Sequence, residues 1–167
     1  MEIPKDLAPA LKKALLRLSM GDMTAGEMRD YLSDPRRKAT GFSEDVAERC
    51  TALLVGEGYL DDLRYLKLCL RRYDARLYGP RRIRQKLVKH QFSQKYINAA
   101  LNRSIDLKKR AIKALEKRER SKQKENTPAE NKKRIDFLVR LGYDYTTARE
   151  AVIRFGGDEF SDGKDSV

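Results

Sequence analysis

Three aromatic residues, Phe42, Phe92 and Tyr143, stand 50 and then 51 residues apart. Each lies in a short turn between segments of helical pattern: Gly41-Phe42-Ser43, Gln91-Phe92-Ser93 and Gly142-Tyr143-Asp144. Five residues after each aromatic come Ala47, Ile97 and Ala148, and eight after come Cys50, Ala100 and Ala151. Leu87 and Leu138 stand five residues before the second and third aromatics. In the first copy Leu32 is ten before, so that copy carries about five extra residues around Asp34 to Thr40. Such spacing marks an internal repeat. A glycine or tolerant polar residue suits the left-handed end of one helix, and the aromatic plugs the angle to the next. Each copy then holds a leading, a middle and a trailing helix.

Helical spacing recurs along the whole chain. Leu11, Leu15, Leu16 and Leu18 are expected on one face of a first helix, and Leu63, Leu66, Leu70, Tyr73 and Leu77 on one face of another. Ala111, Ile112 and Leu115 do the same in a third segment. Thr24 with Glu27 fits a capping box, and Thr127-Pro128-Ala129-Glu130 joins a capping Thr to Pro at the first helical position. Gly79-Pro80 opens a helix, and Ser43, Ser93 and Asp144 are N-cap candidates. In Glu57-Gly58-Tyr59-Leu60-Asp61-Asp62, Gly56 and Gly58 end a helix, and Tyr59 and Leu60 are expected to pack back on it. Asp61 and Asp62 suit the positive N-terminus of the next helix. Residues 121–127 read as a loop, and the Gly- and Asp-rich tail from Gly156 as disordered. The resulting division is a first repeat over 8–58, a second over 59–104, a third over 105–156 and an acidic tail over 157–167.

Charge is concentrated in the middle of the chain. Of 37 basic and 25 acidic residues in 167, residues 64–95 hold 11 basic and one acidic, Asp74. Residues 108–134 hold 12 basic and 4 acidic, whereas 1–63 and 135–167 are each net −3. A polyanion or an acidic protein surface is the natural partner of such a middle. On the leading helix of the second repeat Arg64, Lys67, Arg71 and Arg72 lie off the leucine stripe. On its middle helix Arg81, Arg82, Arg84, Lys86 and Lys89 surround Ile83 and Leu87. These nine residues are the candidate partner- or DNA-binding set, since guanidinium forks suit phosphate or carboxylate. Tyr73 and Tyr78 are read as packing aromatics, with base stacking the alternative.

Other chemistry finds little support in the residues. No Gly-x-x-x-x-Gly-Lys-Ser/Thr, His-Glu-x-x-His or Gly-x-Ser-x-Gly occurs, so neither ATP hydrolysis nor another enzymatic activity is expected. One histidine, His90, and two cysteines, Cys50 and Cys69, argue against a metal site or a disulfide scaffold, and no cofactor is expected. His90 suits a helix C-terminus, and both cysteines suit apolar packing. No run reaches the ~18–20 apolar residues of a membrane span. Met1–Asp6 lacks the pattern of a signal peptide, which predicts a cytoplasmic protein.

The chain resembles the RecX family of bacterial regulators of the RecA recombinase. The resemblance rests on Gly58-Tyr59-Leu60-Asp61-Asp62 followed by Arg64-Tyr65, on Tyr78-Gly79-Pro80-Arg81-Arg82-Ile83-Arg84-Gln85-Lys86-Leu87, and on Arg140-Leu141-Gly142-Tyr143-Asp144-Tyr145. These keep family order over roughly residues 10–156. Gln91 replaces the family's usual turn glycine, Pro35-Arg36-Arg37 is extra, and the third repeat has a lysine-rich lead-in. The resemblance implies an all-α protein of three tandem three-helix repeats, elongated and curved. It implies a monomer that acts along a RecA–DNA filament, with weak, salt-dependent DNA binding of its own. The implied outcome is negative regulation in homologous recombination, DNA repair and the SOS response: blocked filament extension and lower ATPase, strand-exchange and co-protease activity. A different reading of the same basic helices is a DNA-binding protein of helix-turn-helix type, with Arg81–Lys89 as recognition helix.

Overall fold

The computed structural model describes residues 4–36, 41–120 and 126–156. Nine α-helices and no strand occur among them, so the all-α expectation holds. They are α1 (Ala8–Ser19), α2 (Ala25–Ser33), α3 (Glu44–Gly56), α4 (Asp62–Ala75), α5 (Pro80–Lys89), α6 (Gln94–Leu101), α7 (Leu107–Glu119), α8 (Pro128–Arg140) and α9 (Tyr145–Gly156).

Local chemistry sets where these helices begin. Thr24 and Glu27 form both arms of a capping box at α2, at 3.1 and 3.0 Å. Ser43 and Thr127 accept from the N–H groups of Val46 and Glu130. Asp61, Asp106 and Asp144 accept from Arg64, Lys109 and Thr147 at 2.9, 3.0 and 2.9 Å. Ser93 precedes α6, where its carbonyl accepts from Ile97 N–H. Asp62 acts at a distance: its Oδ1 accepts from Ala25 N–H at 2.9 Å, at the start of α2.

The chain divides into two compact units, one of residues up to Arg71 with Lys86–Ala100, the other of Arg72–Gln85 with the residues from Leu101 onward. In the first unit α3 packs on α1 and α2 around Ala10, Ala14, Met28, Leu32, Ala47, Cys50 and Leu54. The leucine stripe expected on α1 is not the buried one. Leu15 and Leu16 are 37% and 61% exposed, while Leu7, Ala10 and Ala14 are buried and Leu11 and Leu18 flank them. At 100° per residue, positions 7, 10, 11, 14 and 18 share an arc that 15 and 16 leave. Small alanines there let α3 approach closely. On α4, Tyr65, Leu66 and Cys69 are buried and Leu63 is 46% exposed, again correcting the expected stripe. Leu60 is buried, but Tyr59 is 55% exposed and does not pack back.

In the second unit α9 packs on α7 and α8 around Ala111, Leu115, Leu138, Tyr143, Ala148 and Ala151. The α4 helix ends at Ala75, so Leu77 is not on its stripe; it sits at φ 56° with its carbonyl accepting from the Tyr143 hydroxyl at 2.9 Å. Burial pushes the Tyr143 phenol up to about 12. Gly156 is the last residue of α9 rather than the start of the tail. The expected loop at 121–125, the extra residues at 37–40 and the tail from 157 lie outside the described residues.

The aromatic turns share one backbone bond. Phe42, Phe92 and Tyr143 donate their N–H to the carbonyls of Leu32, Leu87 and Leu138, at 3.1, 3.1 and 3.2 Å. All three leucines are fully buried. Before the second and third aromatics, Gln91 and Gly142 take φ 55° and 98° and close the helix end in the left-handed conformation. Gly142 also meets Gly79: Gly79 N–H donates to Leu141 at 2.8 Å and Arg81 N–H to Gly142 at 3.0 Å. A methyl group on either glycine overlaps backbone, of Gly142 in one case and of Arg82 in the other. Gly142→Ala is therefore expected to cost about 3 kcal/mol from overlap and backbone strain, read as a lower urea midpoint at unchanged slope.

Candidate polyanion-binding surface

The basic residues of α4 and α5 separate by helix geometry. Arg64, Lys67 and Arg71 fall within about 60° of one another around α4, opposite the buried Leu66 and Cys69 side, and all three are exposed. They belong to the first unit, as do Lys86, half-buried, and Lys89, exposed. Arg72, Arg81 and Arg84 belong to the second unit and are exposed. Within α5, Arg81 and Lys89 lie opposite the buried Ile83 and Leu87, and Arg84 lies at the edge of that face and is exposed.

Arg82 departs from this set. Its guanidinium lies 4.6 Å from the Tyr78 ring centre, and Nη1 donates to the Arg140 carbonyl at 2.8 Å. These contacts tie it to the turn before α5 and to the end of α8. Tyr73 is buried with its ring 6.0 Å from that of Tyr78, which decides for packing. The start of α5 offers little to an anion, because the Arg81 N–H already donates to Gly142. Phosphate or carboxylate contact on this helix thus falls to side chains, which position a partner without reading sequence.

The sequence reading missed what happens to Asp74, the lone acid of the block. Arg103 reaches it at 2.8 and 3.1 Å and Arg110 at 2.9 Å. Burial pushes the Asp74 carboxyl up, but the two guanidinium groups outweigh that and hold it below the usual carboxylate range. A carboxyl lowered on folding stabilises the fold above its unfolded pKa, about 3.9, and that contribution is lost as pH falls through the folded value. Asp74→Asn is expected to flatten the stability loss below about pH 4, measured by urea titration across that range. Arg76, exposed just after α4, extends the basic surface and was left out of the candidate set.

Several cations of the second basic block make contacts within the protein, while Lys109, Lys113, Lys117, Arg120, Lys132 and Lys133 are exposed. Arg110 donates to the Tyr73 carbonyl, Arg118 to the Lys133 carbonyl, and Arg134 to Glu119 through two nitrogens at 2.9 and 2.8 Å. Lys108 pairs with Glu150. The exposed cations of α4 and α5 lie in the stretch with a single acid, and that acid is already paired with Arg103 and Arg110.

Among the described residues no group of three or more His, Cys, Asp or Glu side chains is placed to hold a metal. Cys50 and Cys69 are buried and not in a disulfide, and burial pushes the Cys50 thiol up. No helix among the described residues is long and apolar enough to cross a membrane.

No family model matches the chain. A curated protein of Vibrio vulnificus (strain CMCP6), "Regulatory protein RecX", is 32% identical over 150 residues, 83% of this chain and 88% of that protein. The chain belongs to the RecX family. Its departure from the RecX pattern at Gln91 has a local explanation. Gln91 adopts the left-handed conformation, its Nε2 donates to Asp30, and its side chain lies over Gly26, where a Cβ would strike it. Beside it, His90 Nδ1 lies 2.8 Å from Glu27 Oε1, and the imidazole packs edge-on against Tyr65. The end of α5 in this RecX protein is thereby fixed to the start of α2.

Proposed function

We propose that this chain is a negative regulator of a RecA recombinase. It binds the RecA–DNA filament, blocks its extension and lowers ATP hydrolysis, strand exchange and co-protease activity. Membership of the RecX family carries this reading, with the exposed cations of α4 and α5 as the contact chemistry. The protein acts in the cytoplasm as a monomer built of three tandem three-helix repeats, elongated and curved. The shared backbone bond at Phe42, Phe92 and Tyr143 supports the repeats. Arg64, Lys67, Arg71, Arg72, Arg81, Arg84, Lys86 and Lys89 take phosphate or acidic filament surface. DNA binding by the protein alone is weak and falls with salt. The helix-turn-helix alternative is weaker, since the first turn of α5 is bonded to residues 141–142 instead of projecting for base contact.

The test is ATP hydrolysis by RecA on single-stranded DNA, with this protein added well below one molecule per RecA protomer and DNA in excess. Inhibition is expected. Arg81→Glu with Arg84→Glu is expected to raise the half-inhibiting concentration about tenfold with unchanged helicity. Arg82→Glu is expected to lower stability as well, because the Arg140 and Tyr78 contacts are lost. Absence of inhibition together with sequence-specific duplex binding would overturn the proposal in favour of a DNA-binding regulator.

A further inference from the structure

The Gly58–Asp62 turn is only partly explained by the fold. Gly58 takes φ 74° as α3 ends, Leu60 is buried, Asp61 caps α4 and Asp62 caps α2. Three apolar side chains beside these residues are left in water: Val55, Tyr59 and Leu63, at 48%, 55% and 46% exposure. Val55 lines a cavity of about 370 Å³, open to solvent, together with Ala25, Gly58, Leu60, Asp61, Asp62 and Tyr96, and Tyr59 and Leu63 are chain neighbours of its lining residues. All of these residues lie in the first unit. A cavity of this size is enough for one or two side chains. Clustered exposed apolar groups beside a preformed hollow mark a contact surface.

The cavity itself is lined by acidic and no basic side chains, although exposed Arg64 and Lys95 follow and precede Leu63 and Tyr96 in the chain. Asp61 and Asp62 line the cavity, and Glu57 is exposed just before it. Each aspartate already accepts a backbone N–H at Oδ1, from Arg64 and Ala25 respectively, so both side chains are held in fixed positions. The two carboxylates in the lining favour a cation carried beside an apolar group over an anion.

We infer that the Val55–Leu63 turn with Tyr96 is a second docking surface, which takes a protein segment bearing an apolar side chain flanked by Lys or Arg. The apolar group enters the cavity against Val55, Leu60 and Tyr96. The flanking cations face Asp61 and Asp62, and Tyr59 and Leu63 cover the segment's edge. This surface is independent of the filament reading, because it rests on the cavity and its charge.

The test follows backbone amide resonances of the full chain, at low salt, while short peptides or DNA are added. The probe is an acetylated, amidated peptide with Lys-Leu-Lys between glycines. Controls are the same peptide with Glu-Leu-Glu, the same with Lys-Gly-Lys, and an oligothymidylate. The Lys-Leu-Lys peptide is expected to shift residues 55–63, Ala25 and Tyr96 at millimolar concentration, and the two control peptides to shift them little. Tyr59→Ser with Leu63→Ser, both at exposed positions, is expected to weaken the response about tenfold. Asp61→Asn keeps the cap oxygen and is expected to weaken it about two- to fivefold. Equal shifts with the Glu-Leu-Glu peptide, shifts centred elsewhere, or no shift at all would overturn the inference. So would movement of these residues by the oligothymidylate alone, which would assign Tyr59 to base stacking.

Discussion

Phe92→Ala is expected to lower the stability of the protein by about 3–5 kcal/mol. Phe92 is 5% exposed, its ring centre lies 5.7 Å from that of Tyr65 and 6.4 Å from that of His90, and its N–H closes the end of α5 on Leu87. Truncation leaves a hole at a corner that both neighbouring rings line, and rings held from the backbone side relax little into it. The backbone bond to Leu87 survives, so the cost is one of packing. Phe92→Leu is expected to recover more than half of it, since most of the apolar volume returns. Urea unfolding followed by far-ultraviolet circular dichroism reads both. A loss under about 1 kcal/mol for the alanine variant would mean that this corner is not part of the cooperative core.

Arg134→Ala is expected to cost as much, about 3–5 kcal/mol, through electrostatics instead of volume. The Arg134 side chain is 3% exposed and that of Glu119 is 8% exposed. The guanidinium also donates to Asn131 and Asn126, at 2.8 and 3.0 Å, and lies 5.3 Å from the Phe155 ring. Removing it strands the Glu119 carboxylate in a place made for a pair. Glu119→Leu with Arg134→Met removes both charges at similar bulk and is expected to be far milder than the single change. The interaction between the two substitutions, measured as a double-mutant cycle, is the decisive quantity. Additive losses would show that the pair does not act as a pair.

Helix starts were legible in the sequence because capping is local. Thr24 with Glu27, Ser43, Asp61, Thr127 and Asp144 each satisfy an amide within a few residues, and their structure follows from spacing alone. The burial of Leu87, Leu138, Ala148 and Ala151 was equally legible, from the repeat around the aromatics. The first helix misled. Four leucines invite a stripe, but the core takes Ala10 and Ala14, because a close helix contact favours small side chains over greasy ones. Tyr59 misled for a related reason, since apolarity does not say whether a residue packs on its own chain or waits for another. The candidate basic residues were read from charge density, which places Arg81 and Arg84 correctly at the surface. Charge density carries no information on Arg82, whose direction depends on a carbonyl 58 residues away. The same holds for Asp74 with Arg103 and Arg110, and for the hydrogen bond from Ala25 to Asp62: partners distant in sequence leave no spacing to read.

The meeting of Gly79 with Gly142 has a consequence for the order in which the chain takes shape. The hydroxyl of Tyr143 reaches the Leu77 carbonyl across 66 residues, and the donors of Gly79 and Arg81 wait for carbonyls at 141 and 142. A growing polypeptide emerges N-terminus first. The first turn of α5 therefore leaves the ribosome well before the residues that anchor it. Until the α8–α9 corner follows, the first turn of α5 lacks these bonds, although the end of the helix can already be tied to α2 through His90 and Glu27. A nascent or truncated chain ending before Leu141 keeps the charge of Arg81 and Arg84 but lacks the two carbonyls that hold the helix start. Fixing the start of α5 thus becomes a late event of biosynthesis, and only the nearly complete chain presents these arginines in their final direction.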